Sequence, residues 1–241
     1  VHASIGIAGW FLLLIIGVSS RLVPMFLLSR KEVKTFLTFA YYLINAGLVL
    51  FLIEGLVLRS NHGTIWYISL VGLGIFCYLC YIWQCYKSAI RKKMDAGMKV
   101  TFVAIGSIAL PGLIMLAYLL HSRSAPVAMI TAYGYSFFGG FITTLIMGQT
   151  FKTLPFIVWM HLTKPDRLAA LQPKDLYHEQ LVMLQLALYL PGFLLFLSGI
   201  VIRSGYLMYP GCTMMIAASI IYCWHSFHVV YQLKNEKYRN F

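Results

Sequence analysis

An all-α, polytopic membrane helix bundle of about seven transmembrane helices, with a four-helix internal repeat, is the fold class this sequence predicts. Three observations carry that reading. The 241 residues are 60% hydrophobic and only 11% charged, with a mean hydropathy of +0.79, whereas soluble domains carry about 25% charge. Seven apolar runs follow one another along the chain. Lysines and arginines gather in the gaps between them on alternate sides.

The runs cover roughly 2–29, 35–58, 64–88, 98–121, 126–161, 178–202 and 206–232. A bilayer core of roughly 30 Å needs about 20 apolar residues per helix, so each run is long enough to cross. So many spans with short connections leave little room for a soluble part, and one transmembrane domain over 1–241 is expected. The fifth run is over-long, which predicts a strong tilt, a kink at Pro155 or an extension beyond the headgroups.

One side of the alternation collects Arg30, Lys31 and Lys34, then Lys87, Arg91, Lys92, Lys93 and Lys99, then Lys164, Arg167 and Lys174, then Lys234, Lys237 and Arg239. The other side has only Arg59, Arg123 and Arg203. This asymmetry predicts that the C-terminus lies on the cytoplasmic side of the membrane. The net charge of +12 is explained by the same clusters, so nucleic acid is not an expected partner; membrane lipid is. Val1 opens the chain with no initiator Met and no polar lead, which predicts that N-terminal helices are missing. Cys77, Cys80, Cys85, Cys212 and Cys223 all fall inside apolar runs, where a thiol packs as a small hydrophobe. The Cys77-x-x-Cys80 pair has neither a redox-fold nor a zinc-ribbon context.

A repeat runs through the chain. Gly9-Trp10, Ile16-Gly17 and Arg21-Leu22-Val23-Pro24-Met25 match Gly140-Phe141, Met147-Gly148 and Lys152-Thr153-Leu154-Pro155-Phe156 at a constant offset of 131 residues. The first span therefore corresponds to the fifth, and the unit is four helices long. The glycines let neighbouring backbones approach closely in lipid.

Ionisable residues within a membrane are costly and are the first functional candidates. His2, Glu54, His62 and His121 fall near one face, and His161, His178, His225 and His228 near the other. With a rise of about 1.5 Å per residue, the two groups cannot share one metal. His2, at the mouth of a Gly-rich helix, is a candidate ligand for a heme or a metal, or an interfacial imidazole. His62 is a further metal candidate on that face and His121 a cofactor-binding one. His225 and His228, at i and i+3, share a helix face and could ligate a metal, or rest at the headgroups. Glu54 is either a relay carboxylate or the partner of Arg59. Arg21 and Lys152, matched in the repeat, either snorkel to the basic edge or face an anionic cofactor. No P-loop, H-E-x-x-H, G-x-S-x-G or paired catalytic carboxylates are present. A transporter built on the repeat is less supported, because spans four apart run in the same direction and the mid-membrane zone offers little beyond Asn45, Thr143, Thr144 and Gln149.

The stretch His2-Ala3-Ser4-Ile5-Gly6-Ile7-Ala8-Gly9-Trp10, followed by Gly17-Val18 and Arg21-Leu22-Val23-Pro24-Met25-Phe26, resembles subunit I of heme-copper oxidases. Its nearest flavour is the C-type oxidase subunit and the heme- and copper-containing membrane proteins linked to nitric oxide response. Gly148 and the run Lys152-Thr153-Leu154-Pro155-Phe156-Ile157-Val158-Trp159-Met160-His161 resemble the second signature of that group. The resemblance implies twelve helices in three arcs of four, heme b and copper as cofactors, electron transfer in a respiratory chain, and other membrane subunits of a respiratory complex as partners. In one register the first span matches the family's sixth helix, whose His binds copper, and the fifth span matches the tenth, whose His residues bind heme. Tyr133 and Tyr135 then stand where those heme ligands belong, and the second span lacks the further copper ligands. In the other register His2 itself is a heme ligand. The departures from the ligand pattern imply an alternative, a cofactor-free structural or assembly subunit of the same architecture.

Overall fold

The computed structural model describes residues 2, 5–29, 34–58, 63–90, 94–121, 127–162 and 172–234. Among them are seven helical spans long and apolar enough to cross a membrane, and no β-strand. The chain is all-α, as expected. We label the helices α1 (Ile5–Leu27), α2 (Lys34–Leu58), α3 (Thr64–Lys87), α4 (Ala96–Ser107), α5 (Ala109–His121), α6 (Val127–Leu162), α7 (Glu179–Ile202) and α8 (Gly205–Tyr231).

Helices α4 and α5 make up the fourth span. Their boundary follows from Pro111, whose ring displaces the carbonyl of Ser107 four residues back, and the helix restarts after Ile108. Helix α6 runs without interruption for 36 residues through Pro155. At about 1.5 Å per residue it far exceeds the bilayer core.

By its contacts the chain divides into two compact units. The first holds α1, α2, α3 and most of α5; the second holds α4, α6, α7 and α8. Within the first, the early part of α1 packs on α2, its later part on α3, and α2 and α3 form an extensive hairpin. Within the second, the early part of α6 packs on α7, its later part on α8, and α7 and α8 form the corresponding hairpin.

The same contacts recur residue by residue. A Cβ at Gly9 would lie 2.8 Å from Leu48 of α2, and one at Gly140 would lie 2.7 Å from Phe193 of α7. Gly47 abuts the Tyr67 carbonyl at 2.9 Å by the same measure, and Gly192 abuts the Gly211 carbonyl at 2.9 Å. Ser19 of α1 meets the Tyr78 hydroxyl of α3 at 2.7 Å, and Thr150 of α6 meets the Tyr222 hydroxyl of α8 at 2.8 Å. Each alcohol spends its own proton on a carbonyl of its helix, Ile16 or Ile146, so each tyrosine is the donor across the pair. These matches fix offsets of 131 for α1 and α6, 145 for α2 and α7, and 144 for α3 and α8. The repeat is thus structural as well as sequential, with the extra residues falling between the first and second helices of the second copy.

Both copies also widen at the same place. Ile5–Leu12 in α1 and Ser136–Thr143 in α6 are π-helical, at the 131-residue offset. A π turn inserts an extra residue per turn and loosens backbone carbonyls toward other donors.

Pro24 frees the carbonyl of Ser20 in the same way that Pro111 frees that of Ser107, and the Tyr81 hydroxyl donates to the Ser20 oxygen at 2.9 Å. Tyr81→Phe would leave that buried carbonyl without its donor, so a loss of about 1 kcal/mol is expected. Unfolding of the purified protein by SDS titration in mixed micelles would measure it; an unchanged midpoint would show that the bond contributes nothing.

Candidate functional site

Side chains bearing chemistry gather at two places in the second unit. The first is the π-helical stretch of α6 and the turns after it. Tyr189 of α7 donates to the Gly139 carbonyl at 2.7 Å, Ser107 of α4 shares its proton between the Ala104 carbonyl of its own helix at 2.7 Å and the Gly140 carbonyl at 3.1 Å, and Thr143 bonds the Phe138 carbonyl five residues back at 2.9 Å. The loosened carbonyls are therefore satisfied by hydroxyls of two neighbouring helices, which lipid could not supply.

One and two turns further along, Gln185, fully buried on α7, places its amide nitrogen 2.8 Å from the Met147 sulfur, and Gln149 donates to Thr101 of α4 at 3.0 Å. Helices α4 and α6 then touch through glycine. A Cβ at Gly148 would lie 2.7 Å from the Thr101 nitrogen, and one at Gly97 2.9 Å from the Gly148 carbonyl. Below this contact Lys152 forms an ion pair with Asp95, whose other oxygen caps the start of α4 by accepting the Met98 N–H at 2.9 Å. Thr144 Oγ1, Gln149 Oε1 and Gln185 Oε1 are buried without a hydrogen-bond partner.

The second place is a stack of rings where α7 begins and α8 ends. His225 is fully buried; its Nε2 accepts the backbone N–H of His178, the residue that precedes α7, at 3.1 Å. Its ring lies 4.6 Å from Phe151 and 6.3 Å from His178, and His178 lies 6.2 Å from His228. His228 stacks on Trp224 at 5.5 Å and accepts from the Gln232 amide at 3.1 Å. Both imidazoles present Nε2 to an N–H donor. The rings present faces to one another rather than converging nitrogens. Among the described residues no three of His, Cys, Asp and Glu are grouped to hold a metal.

His2 is exposed. His62 lies outside the described residues, as does Arg59, and of His121 only the backbone, the last residue of α5, is described. His161 is exposed and bonds the Ile157 carbonyl of its own helix at 2.9 Å. Arg21 is exposed on α1. Glu54 is buried and occupied locally: it accepts the Gly63 N–H at 2.8 Å and a hydrogen bond from the Tyr67 hydroxyl, tying the end of α2 to the start of α3. All five thiols are free.

Tyr135, which stands where one register of the resemblance implies a heme ligand, forms a wedge. The Tyr135 ring sits 5.2 Å from Phe193 and 5.1 Å from Phe196 of α7, and its hydroxyl reaches the Met215 sulfur of α8 at 3.0 Å. A macrocycle needs a flat slot with a basic nitrogen facing it. Here a phenol and two phenylalanines pack on one another. Around Tyr135 the residues do not fit a heme.

Sequence reasoning passed over Asp95, Gln185, Tyr189, Tyr78 and Tyr222. The signal for Asp95 was available: an acid directly before Ala96-Gly97, after a run of bases, is a helix-start pattern, and Lys152 needed a counter-charge. The tyrosines carry no such signal, because their role depends on a partner helix. Comparison with family models, curated proteins and solved structures returned no match.

Proposed function

We propose that this chain is a structural or assembly subunit of a membrane respiratory complex, built on the architecture that heme-copper oxidase subunit I resembles but without its heme chemistry. It sits in the cytoplasmic membrane of a bacterium with its C-terminus on the cytoplasmic side, surrounded by lipid and by other membrane subunits. The observation that carries this reading is the Tyr135 wedge, which welds α6 to α7 and α8 at the depth where the resemblance calls for heme ligands. Two features support it. The repeated tyrosine–alcohol pairs fasten both copies of the unit from within, and the inner histidines serve backbone and ring packing.

The opposing reading, heme b or copper held by His2 with electron transfer through it, is tested directly. A reduced-minus-oxidised absorbance spectrum and a pyridine hemochrome assay on the purified protein are expected to show no b-type heme. A b-type spectrum that vanishes in His2→Ala would overturn the proposal and make His2 the axial ligand.

A further inference from the structure

The two copies of the unit differ on one face, and the difference identifies a docking surface. In the second copy α4 packs on one side of α6: Gly148 lies against the backbone of Gly97 and Thr101 and Lys152 is paired with Asp95, while Phe141, two turns before Gly148, is fully buried. The 131-residue offset places Trp10, Gly17 and Arg21 of α1 at the same three positions. There Trp10 is 66% exposed where Phe141 is 0%. A Cβ at Gly17 would meet nothing within 4 Å among the described residues, where one at Gly148 would meet Thr101 at 2.7 Å. Arg21 is exposed, and Leu14 and Val18 between them are 53% and 50% exposed. Elsewhere α1 and α6 agree: Ile16 and Met147, Pro24 and Pro155, and Leu27 and Val158 are buried in both. The stripe is therefore not a general loosening of α1.

We infer that the Trp10–Leu14–Gly17–Val18–Arg21 face of α1 receives a transmembrane helix of the α4 type. Such a helix opens with a carboxylate, carries a small residue two positions on to lie against Gly17, and a hydroxyl four positions beyond that. Charge selects it, because a guanidinium flanked by leucine and valine within the apolar zone gains most from a carboxylate that is itself leaving water. Shape selects it too, because a glycine opposite a small residue is what lets two helices approach closely in lipid. The occupant is a helix rather than lipid because lipid has no use for a glycine in register with a base and a proline. This inference rests on the repeat and not on the absence of heme, so it stands or falls separately from the functional proposal.

The test uses the full chain reconstituted in lipid vesicles with benzoylphenylalanine in place of Leu14, together with a biotinylated peptide of the sequence from Met94 to Ala117 of this protein as the probe. Light-driven crosslinking is expected to exceed, by at least fivefold, that from a crosslinker at Ile220 on the exposed side of α8. Gly17→Leu and Arg21→Glu are each expected to lower the Leu14 yield to the Ile220 level. A peptide with Asp95→Lys is expected to restore it in the Arg21→Glu chain and to fail with the native one. A Leu14 yield equal to the Ile220 background, or one indifferent to Arg21→Glu, would overturn the inference and leave lipid as the only occupant.

Discussion

Leucine in place of Gly148 is expected to cost about 2–3 kcal/mol, while leucine in place of Gly17 changes stability by less than about 0.5 kcal/mol. The two glycines occupy the same position in two copies of one unit, so helix propensity and insertion energy cancel in the comparison. What remains is the neighbour. At Gly148 the first added carbon would lie 2.7 Å from the Thr101 nitrogen and 3.0 Å from the Gly97 carbonyl. Both are backbone atoms, which cannot rotate away, so α4 must separate from α6. At Gly17 the same carbon meets nothing within 4 Å among the described residues. Thermal and SDS unfolding of the two variants in the same detergent would measure the difference; equal losses would mean that the α4–α6 contact is not close in solution.

Asp95→Ala is the second change with a large expected effect, about 2–3 kcal/mol, because it strands a base and uncaps a helix together. The side chains of Lys152 and Asp95 are 15% and 18% exposed, so the pair is largely shielded from water, and removing one partner leaves the other charge uncompensated. The same substitution removes the acceptor for the Met98 N–H, worth about 1 kcal/mol at a helix start. Asp95→Asn retains an acceptor oxygen and should lie between the wild type and Asp95→Ala. Adding Lys152→Met to Asp95→Ala removes the stranded charge and should recover more than half of the loss. A double variant no better than the single one would show that capping alone accounts for the effect.

The sequence revealed the membrane class, the seven spans and the repeat, because each rests on a pattern that lipid imposes on every residue of a span. Span ends came within a few residues, as with 64–88 expected and Thr64–Lys87 found. The break after Ser107 was missed because Pro111 was counted inside a span without asking which carbonyl it displaces. At the candidate site, sorting ionisable residues by depth singled out Glu54, Lys152 and the histidines but could not supply their partners. Lys152 and Asp95 are 57 residues apart, and His178 and His225 are 47 apart. Such pairings follow from which helices touch, and only the repeat, once recognised, gave any hint of that.

The link between α7 and α8 bears on the order in which the molecule assembles. Only Arg203 and Ser204 separate the two helices, and Arg203 takes the left-handed conformation, φ 58°, that lets the Ser204 N–H close on the Gly199 carbonyl at 2.9 Å. A non-glycine residue pays about 1 kcal/mol for that conformation, and here it reverses the chain in two residues. The most extensive helix contact among the described residues thus forms between segments adjacent in sequence, where almost no loop entropy opposes it. A nascent chain would complete this pair as a hairpin as soon as Tyr231 clears the insertion machinery, and the long α6 would then have a finished surface to settle against.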